Sequence, residues 1–199
     1  MTDQPRPYRM TRRAESQQQT RQRITKSAVE LHGTLGPSRT SMSAVAAHAR
    51  VRRSTLYRHF PDEAALFDAC TAHWAAANPP PDLAAWSMLD DPEARLAVAL
   101  RELYAFYNRT EAMLENLFRD ENAVPIVGER FAAFRGYLGA ARDTLMQGRR
   151  LRGAAKIRKQ AAVGHAIAFS TWQSLVREEG LGEAAAIELM CAFVAAAVP

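Results

Sequence analysis

Cysteine is scarce in this 199-residue chain, limited to Cys70 and Cys191. Both sit in alanine-rich segments of helical pattern, far apart. That suits small buried hydrophobes in a reducing compartment and excludes a disulfide framework. No apolar run is long enough to span a bilayer, and the basic N-terminus lacks the apolar stretch of a secretory signal. The expectation is a cytoplasmic protein with no membrane partner. The period-two alternation of β-branched and polar residues that marks strands is nearly missing. Helical periodicity is what remains, so the expected fold class is all-α. Acidic residues are missing from one region in particular. Through residue 60, twelve Arg and Lys face only Asp3, Glu15 and Glu30, a balance of +9, whereas the rest of the chain carries −4 and the net charge is +5. A positive field confined to one region is the footprint of a phosphate-binding module. The blander alternative is a solvated basic face.

The chain divides by composition. Residues 1–17 are polar, basic and poor in aliphatics, as expected of a flexible arm that orders on a partner. A first helix is expected from about Gln18 to Leu35, with Ile24, Ala28, Leu31 and Leu35 on one face, ended by Gly36-Pro37. Ser41 can cap a second helix that buries Val45, Ala46 and Ala49. Directly after it comes RVRRSTLYRHF, residues 50–60, with a four-residue connection before the third helix. Leu56 and Phe60 share one helix face, and Arg53, Ser54, Thr55, Tyr57 and Arg58 crowd the rest. Two short helices joined by so short a turn make a helix-turn-helix. Domain boundaries are therefore set at 18–61, with a connecting helix at 62–78 carrying a buried stripe of Leu66, Phe67, Cys70 and Trp74. Residues 79–199 form a larger helical domain. In that domain Asp91-Pro92-Glu93 starts a helix reaching Asn108, Thr110 opens another ending near Asn122, and Pro125 starts a long one. Gly136 and Gly139 interrupt that last helix and point to close packing or a cavity wall. Two final helices, 153–179 and 182–198, are separated by a left-handed cap at Gly180.

The head carries a resemblance. Arg23-Ile24, Ala28, Glu30-Leu31, Gly36, Thr40-Ser41, Val45-Ala46, Ala49, Val51, Thr55-Leu56-Tyr57, His59-Phe60-Pro61 and Leu66-Phe67 stand, ungapped, as in the DNA-binding domain of the TetR (tetracycline repressor) family of bacterial transcriptional regulators. The resemblance covers about the first third of the chain. It implies a homodimeric regulator of a palindromic double-stranded DNA operator, with a small-molecule effector in the second domain and no enzymatic activity.

The residues support the same reading on physical grounds. A major groove admits one helix, and arginine pairs with guanine O6 and N7, so Arg53 is the base-reading candidate. Ser54 shares its face. Thr55, Tyr57, Arg58, His59 and Ser41 can donate to phosphates, Arg52 adds charge, and the resemblance places Ser43 toward the groove. Three departures from the family pattern stand out. Arg50 replaces a turn glycine, so a side-chain-bearing residue is expected in a left-handed conformation. Arg52 replaces a capping serine. Glu63 stands where a lysine commonly touches phosphate; either its carboxylate repels DNA, or it caps its own helix and points away. His32 replaces an aromatic residue and is read as a packed histidine.

For the effector pocket the candidates are Tyr104, Tyr107, Phe118, Phe131, Phe134, Tyr137 and Met146, each of which could equally fill a core. An apolar or aromatic ligand is the inference. For the dimer interface they are Gly164, Ala168, Phe169, Trp172, Leu175, Ile187, Met190, Phe193 and Val194, small residues for close approach beside bulky anchors. A helix hairpin inside one chain would look similar. No cofactor and no metal site is expected: Cys70 and His73, three apart on one helix, lack the further ligands or oriented base that metal or thiol chemistry needs. His165 lies on a small-residue helix, where packing is commoner than base catalysis. The basic run 149–159 reads as a solvated loop and helix start or as an anion site. The rival function is nonspecific nucleic-acid binding of the nucleoid type. The large, mildly acidic second domain adds nothing to phosphate affinity and argues against it.

Overall fold

The computed structural model describes residues 6–197, with side chains from Arg13 onward. Among the described residues every regular element is helical. The chain forms two compact units. One comprises the residues up to Asn78 together with Ala112–Arg130, and the other Pro79–Glu111 with the residues from Phe131 onward.

In the first unit, α1 (Arg6–Thr34) packs against α2 (Met42–His48) and α4 (Glu63–Ala77), and α2 against α3 (Arg53–His59). The apolar positions of each helix meet in one cluster: Ile24 and Ala28 from α1, Met42, Val45 and Ala46 from α2, Leu56 from α3, then Phe60, Leu66 and Cys70. Ile24, Leu56 and Phe60 are fully buried, which stabilises the unit by roughly 1.5–3 kcal/mol apiece. Three expectations change. Arg6 already belongs to α1, so residues 6–17, expected as a flexible arm, are helical, and residues 1–5 lie outside the described residues. Leu35, placed on the buried face, is 44% exposed because α1 has ended at Thr34. Trp74 is only half-buried.

The second unit contains α5 (Leu83–Ser87), the first part of α6 (Pro92–Asp120), most of α7 (Pro125–Met146), α8 (Gly153–Ala166), α9 (Phe169–Gln173), one π-helical turn (Ser174–Glu178) and α10 (Glu183–Ala196). Helix α6 runs unbroken where two helices were expected. The Thr110 hydroxyl, read as a cap, instead donates to the Phe106 carbonyl one turn back at 2.6 Å, a bond that lets a threonine sit inside a helix. The expected helix 153–179 is divided at Ala168, whose backbone is extended (φ −72°, ψ 141°). No glycine or proline marks that break. The Ala166 and Ile167 carbonyls accept from the Tyr104 and Tyr107 hydroxyls at 3.0 and 2.6 Å, and the Thr171 hydroxyl donates to the His165 carbonyl at 2.7 Å. Tertiary bonds thus replace the helical ones, as buried carbonyls require. Helix α5 was missed; it seats the fully buried Trp86, whose indole N–H donates to Glu102 at 2.7 Å. Gly180 takes the expected left-handed cap (φ 71°), with the Leu181 N–H donating to the Leu175 carbonyl at 2.9 Å.

Candidate nucleic-acid interface

Helix α3 carries its chemistry on one side because its core contacts lie on the other. Leu56 and the following Phe60 are buried, while Arg52, Arg53, Ser54, Tyr57 and Arg58 are exposed and Thr55 and His59 are half-exposed. The Arg53 guanidinium lies 5.9 Å from the centre of the Tyr57 ring, within range of a weak cation–π attraction. Ser41 caps α2, its hydroxyl oxygen accepting from the Ala44 N–H at 3.2 Å, and Ser43 is exposed on the first turn. All nine sequence-derived interface residues therefore lie on α3, on α2 or at their N-caps with solvent-accessible side chains.

The turn between the helices bears the expected strain. Arg50 has φ +53°, the only non-glycine residue with positive φ among those described. A left-handed conformation costs an L-residue about 1–2 kcal/mol. Arg52 is the N-cap of α3 and supplies no side-chain cap bond. Capping α4 falls to Asp62, whose carboxylate accepts from the Ala65 N–H at 2.8 Å. Glu63 therefore does not cap its own helix. It is exposed and borders, with Thr40, Ser41 and His32, a small cavity of about 50 Å³.

Sequence reading missed the residues that hold this apparatus in place. Arg21 of α1 donates to the His59 carbonyl at 2.6 Å and lies 4.1 Å from the centre of the Phe60 ring, pinning the end of α3. The last turn of α6 grips the end of α1. Asn116 donates to the His32 and Gly33 carbonyls at 3.0 and 2.8 Å, Arg119 to the Leu35 carbonyl at 3.1 Å, and Asp120 accepts from the Ser38 N–H at 2.9 Å. Asp120 is buried. Desolvation would raise its pKa, but the Arg119 bonds and the Ser38 amide outweigh it and hold the carboxyl at about 2. Gly36 is required twice over: its φ of +93° with ψ 157° is a glycine conformation, and an added Cβ would lie 2.0 Å from Arg119 and 2.7 Å from Asp120. His32 packs against Phe67 with ring centres 5.3 Å apart, and burial depresses its pKa to about 4, partly opposed by Asp120. The packed-histidine reading stands.

In the second unit, five of the seven pocket candidates come together. Rings of Phe131, Phe134 and Tyr137 stack at 5.3 and 6.0 Å, Phe134 stacks on Phe106, and Tyr104 and Tyr107 join them with Phe169 and Trp172. Phe118 does not belong here; it lies on the part of α6 in the first unit. Met146 is half-buried at the end of α7. Gly136 and Gly139 have nothing within 4 Å of an added Cβ, so close packing is not their role.

The interface candidates divide as well. Phe169, Trp172, Met190 and Val194 are interior in the single chain; the break at Ala168 turns the first two inward. Gly164, Ala168, Leu175 and Ile187 are half-buried. Phe193 is 44% exposed, joined by two residues not foreseen, Ile157 at 70% and Leu189 at 46%. The basic run resolves in part: Arg149 pairs with Glu93, and the buried Lys159 donates to the Val194 and Ala195 carbonyls, closing the end of α10. Arg150, Arg152, Lys156 and Arg158 remain exposed. Among the described residues no cluster of three or more metal-ligating side chains occurs, and no helix is long and apolar enough to cross a membrane.

A short α2, a tight turn and an outward-facing, arginine-rich α3 on a shared core define a helix-turn-helix protein. Residues 24–70 match the model of the bacterial regulatory proteins, tetR family. Over these residues the head is similar to that family's DNA-binding domain. The chain as a whole has a TetR-like fold. It is similar over 89% of its length to 98% of a Clostridium perfringens protein proposed to regulate fatty acid metabolism (TM-score 0.65, 15% identity). It is likewise similar over 89% of its length to 78% of a TetR-family transcriptional regulator from Streptomyces coelicolor (0.56, 19%). Another neighbour is the multidrug binding protein EbrR, solved with imidazole, matched over 90% of this chain and 94% of that one (0.54, 23%). No curated protein matches the chain by sequence.

Proposed function

We propose that the protein is a homodimeric transcriptional repressor that occupies a palindromic operator and leaves it when a small aromatic or apolar effector binds the second unit. The observation that carries this is the outward face of α3, four exposed polar side chains from Arg53 to Arg58 mounted on the buried Leu56 and Phe60. Arg53 reads a guanine in the major groove, with Ser54 beside it. Thr55, Tyr57, Arg58 and His59 hold phosphates, Arg52 adds charge, and Ser41 keeps its hydroxyl proton for a phosphate after its oxygen has accepted from Ala44. Ser43 faces the same groove. Two such heads on a twofold axis match two inverted half-sites.

The face that joins two copies is the exposed apolar side of α8 and α10: Ile157, Ala161 and Gly164 with Leu189 and Phe193. His165 and Phe193, with ring centres 5.7 Å apart, knit the two helices together. Response to an effector uses α6, whose residues 92–111 line the aromatic cluster side and whose residues 112–120 carry Asn116, Arg119 and Asp120. An effector that prefers one placement of α6 biases the α1–α2 loop through that polar grip, since a ligand shifts an equilibrium only by its differential affinity. Sedimentation tests the assembly. The wild-type chain should run as a dimer at micromolar concentration, and a Leu189→Asp, Phe193→Asp double variant as a folded monomer with much weaker operator binding. A wild-type monomer on operator DNA would overturn the proposal.

A further inference from the structure

The aromatic cluster of the second unit has one polar atom out of place. Tyr104 and Tyr107 donate to the Ala166 and Ile167 carbonyls, and Tyr137 to the Pro81 carbonyl at 2.9 Å. Trp86, elsewhere in the same unit, donates to Glu102. Trp172 is fully buried, yet its indole N–H has no acceptor. Burying such a donor unpaired is costly, and native interiors rarely keep one without a use.

Two further features single out this tryptophan. The segment that follows it, Ser174–Glu178, is a π-helical turn, closed by the Glu179 N–H on the Ser174 carbonyl at 2.9 Å. Such a turn holds one residue of slack that a helix can release, and π turns concentrate at functional sites. The second feature lies on α7. Gly136 and Gly139 flank Tyr137 and face open space, so at these two positions α7 is not pressed against a neighbour. One face of the indole is covered by the Arg177 guanidinium, 4.8 Å from the ring centre. That disfavours a cationic ligand at this ring.

We propose that the effector is a flat, uncharged aromatic molecule with a hydrogen-bond acceptor on its edge, of the aza-arene or aryl-ketone kind, and that Trp172 Nε1 is the donor that holds it. This rests on the effector-binding reading above and adds the chemistry of selection. A site with a buried donor rejects an isostere that lacks the matching acceptor far more strongly than an apolar slot separates two hydrocarbons.

Quinoline and naphthalene have one shape and differ by that acceptor. Titrated calorimetrically into the full chain, wild type should favour quinoline, and Trp172→Phe should lower the quinoline-to-naphthalene preference by about tenfold. A second measurement needs no variant. With ¹⁵N-labelled tryptophan the chain gives three indole signals, for Trp74, Trp86 and Trp172, and one of them should move downfield with quinoline and stay put with naphthalene. If both probes bind and their ratio is the same in both proteins, or no indole signal separates them, the Trp172 assignment is wrong while the pocket survives. If wild type binds neither, the assignment and the effector reading fall together.

Discussion

The head and the second unit solve packing differently. The head sets two helices of only seven residues, too short to be stable alone, beside the long α1 and α4, so each short one is held by the shared apolar cluster and by side chains that bond directly to backbone at helix ends. The second unit packs its helices around an aromatic cluster, and its backbone bends where hydroxyls claim carbonyls. A head built of backbone clamps is rigid but brittle, because each clamp lost exposes an orphan carbonyl or amide. An aromatic cluster with a π turn and open glycines tolerates rearrangement. That division suits the proposed DNA reader coupled to a proposed effector site.

The largest effect that would break this comparison is expected at Gly36. Gly36→Ala forces a side chain into a glycine conformation and against Arg119 and Asp120, at a cost of about 3 kcal/mol or more. Chemical denaturation should show that loss with the α6 grip released. A loss below about 1 kcal/mol would mean that the grip does not fix the loop.

Acid sharpens the contrast next. His32 is depressed by burial to about 4 from the ordinary histidine value of 6.5, so between those values the unfolded chain binds a proton that the folded one does not. Stability is therefore full above about 6.5 and falls as pH drops toward 4, by roughly 2–3 kcal/mol. Asp120, held at about 2, adds a second loss as pH falls from about 4 to 2. His32→Phe should abolish the upper window and leave the lower one, as read by melts across a pH series. An unaltered pH 4–6.5 profile would remove His32 from the account.

At the DNA face, Arg53→Ala should cost about 1–3 kcal/mol on the operator and relax preference at one base pair, whereas Arg58→Ala should weaken all sequences alike. Equal losses on specific and random DNA for both variants would erase the distinction between base reader and phosphate holder. The smallest effect belongs to Glu63. Since Asp62 supplies the cap, Glu63→Lys should leave the melting temperature nearly unchanged. It should steepen the salt dependence of binding by about one unit of slope per half-site for each phosphate newly neutralised. Anisotropy titrations across a salt series would show it, and an unchanged slope would turn Glu63 away from DNA.

The same comparison explains what the sequence made legible. In the head, periodicity placed Ile24, Ala28, Val45, Leu56 and Leu66 in one core, and chemistry specific to single positions foretold Ser41 as a cap and Arg50 as left-handed. These are local consequences of residue type and spacing. What escaped reading there were Arg21, Asn116, Arg119 and Asp120, whose partners are backbone atoms 38 to 84 positions away. No local pattern announces such a bond. The second unit depends on long-range bonds throughout. Thr110 looked like a cap because its hydroxyl's acceptor could not be known, and Ala168 looked helical because the hydroxyls that break the helix come from Tyr104 and Tyr107, some sixty residues earlier. Phe169 and Trp172 had the bulk of interface anchors, and only the direction imposed by that break shows them to be interior.

Selection of bound fragments from a random DNA pool by the full wild-type chain tests the central claim most directly. The account predicts one enriched motif, an inverted repeat whose half-sites lie about one helical turn apart and each contain a guanine lost as a preference in Arg53→Ala. Enrichment of no motif, with affinity set by salt and fragment length alone, would contradict it and leave a nonspecific nucleic-acid binder in its place.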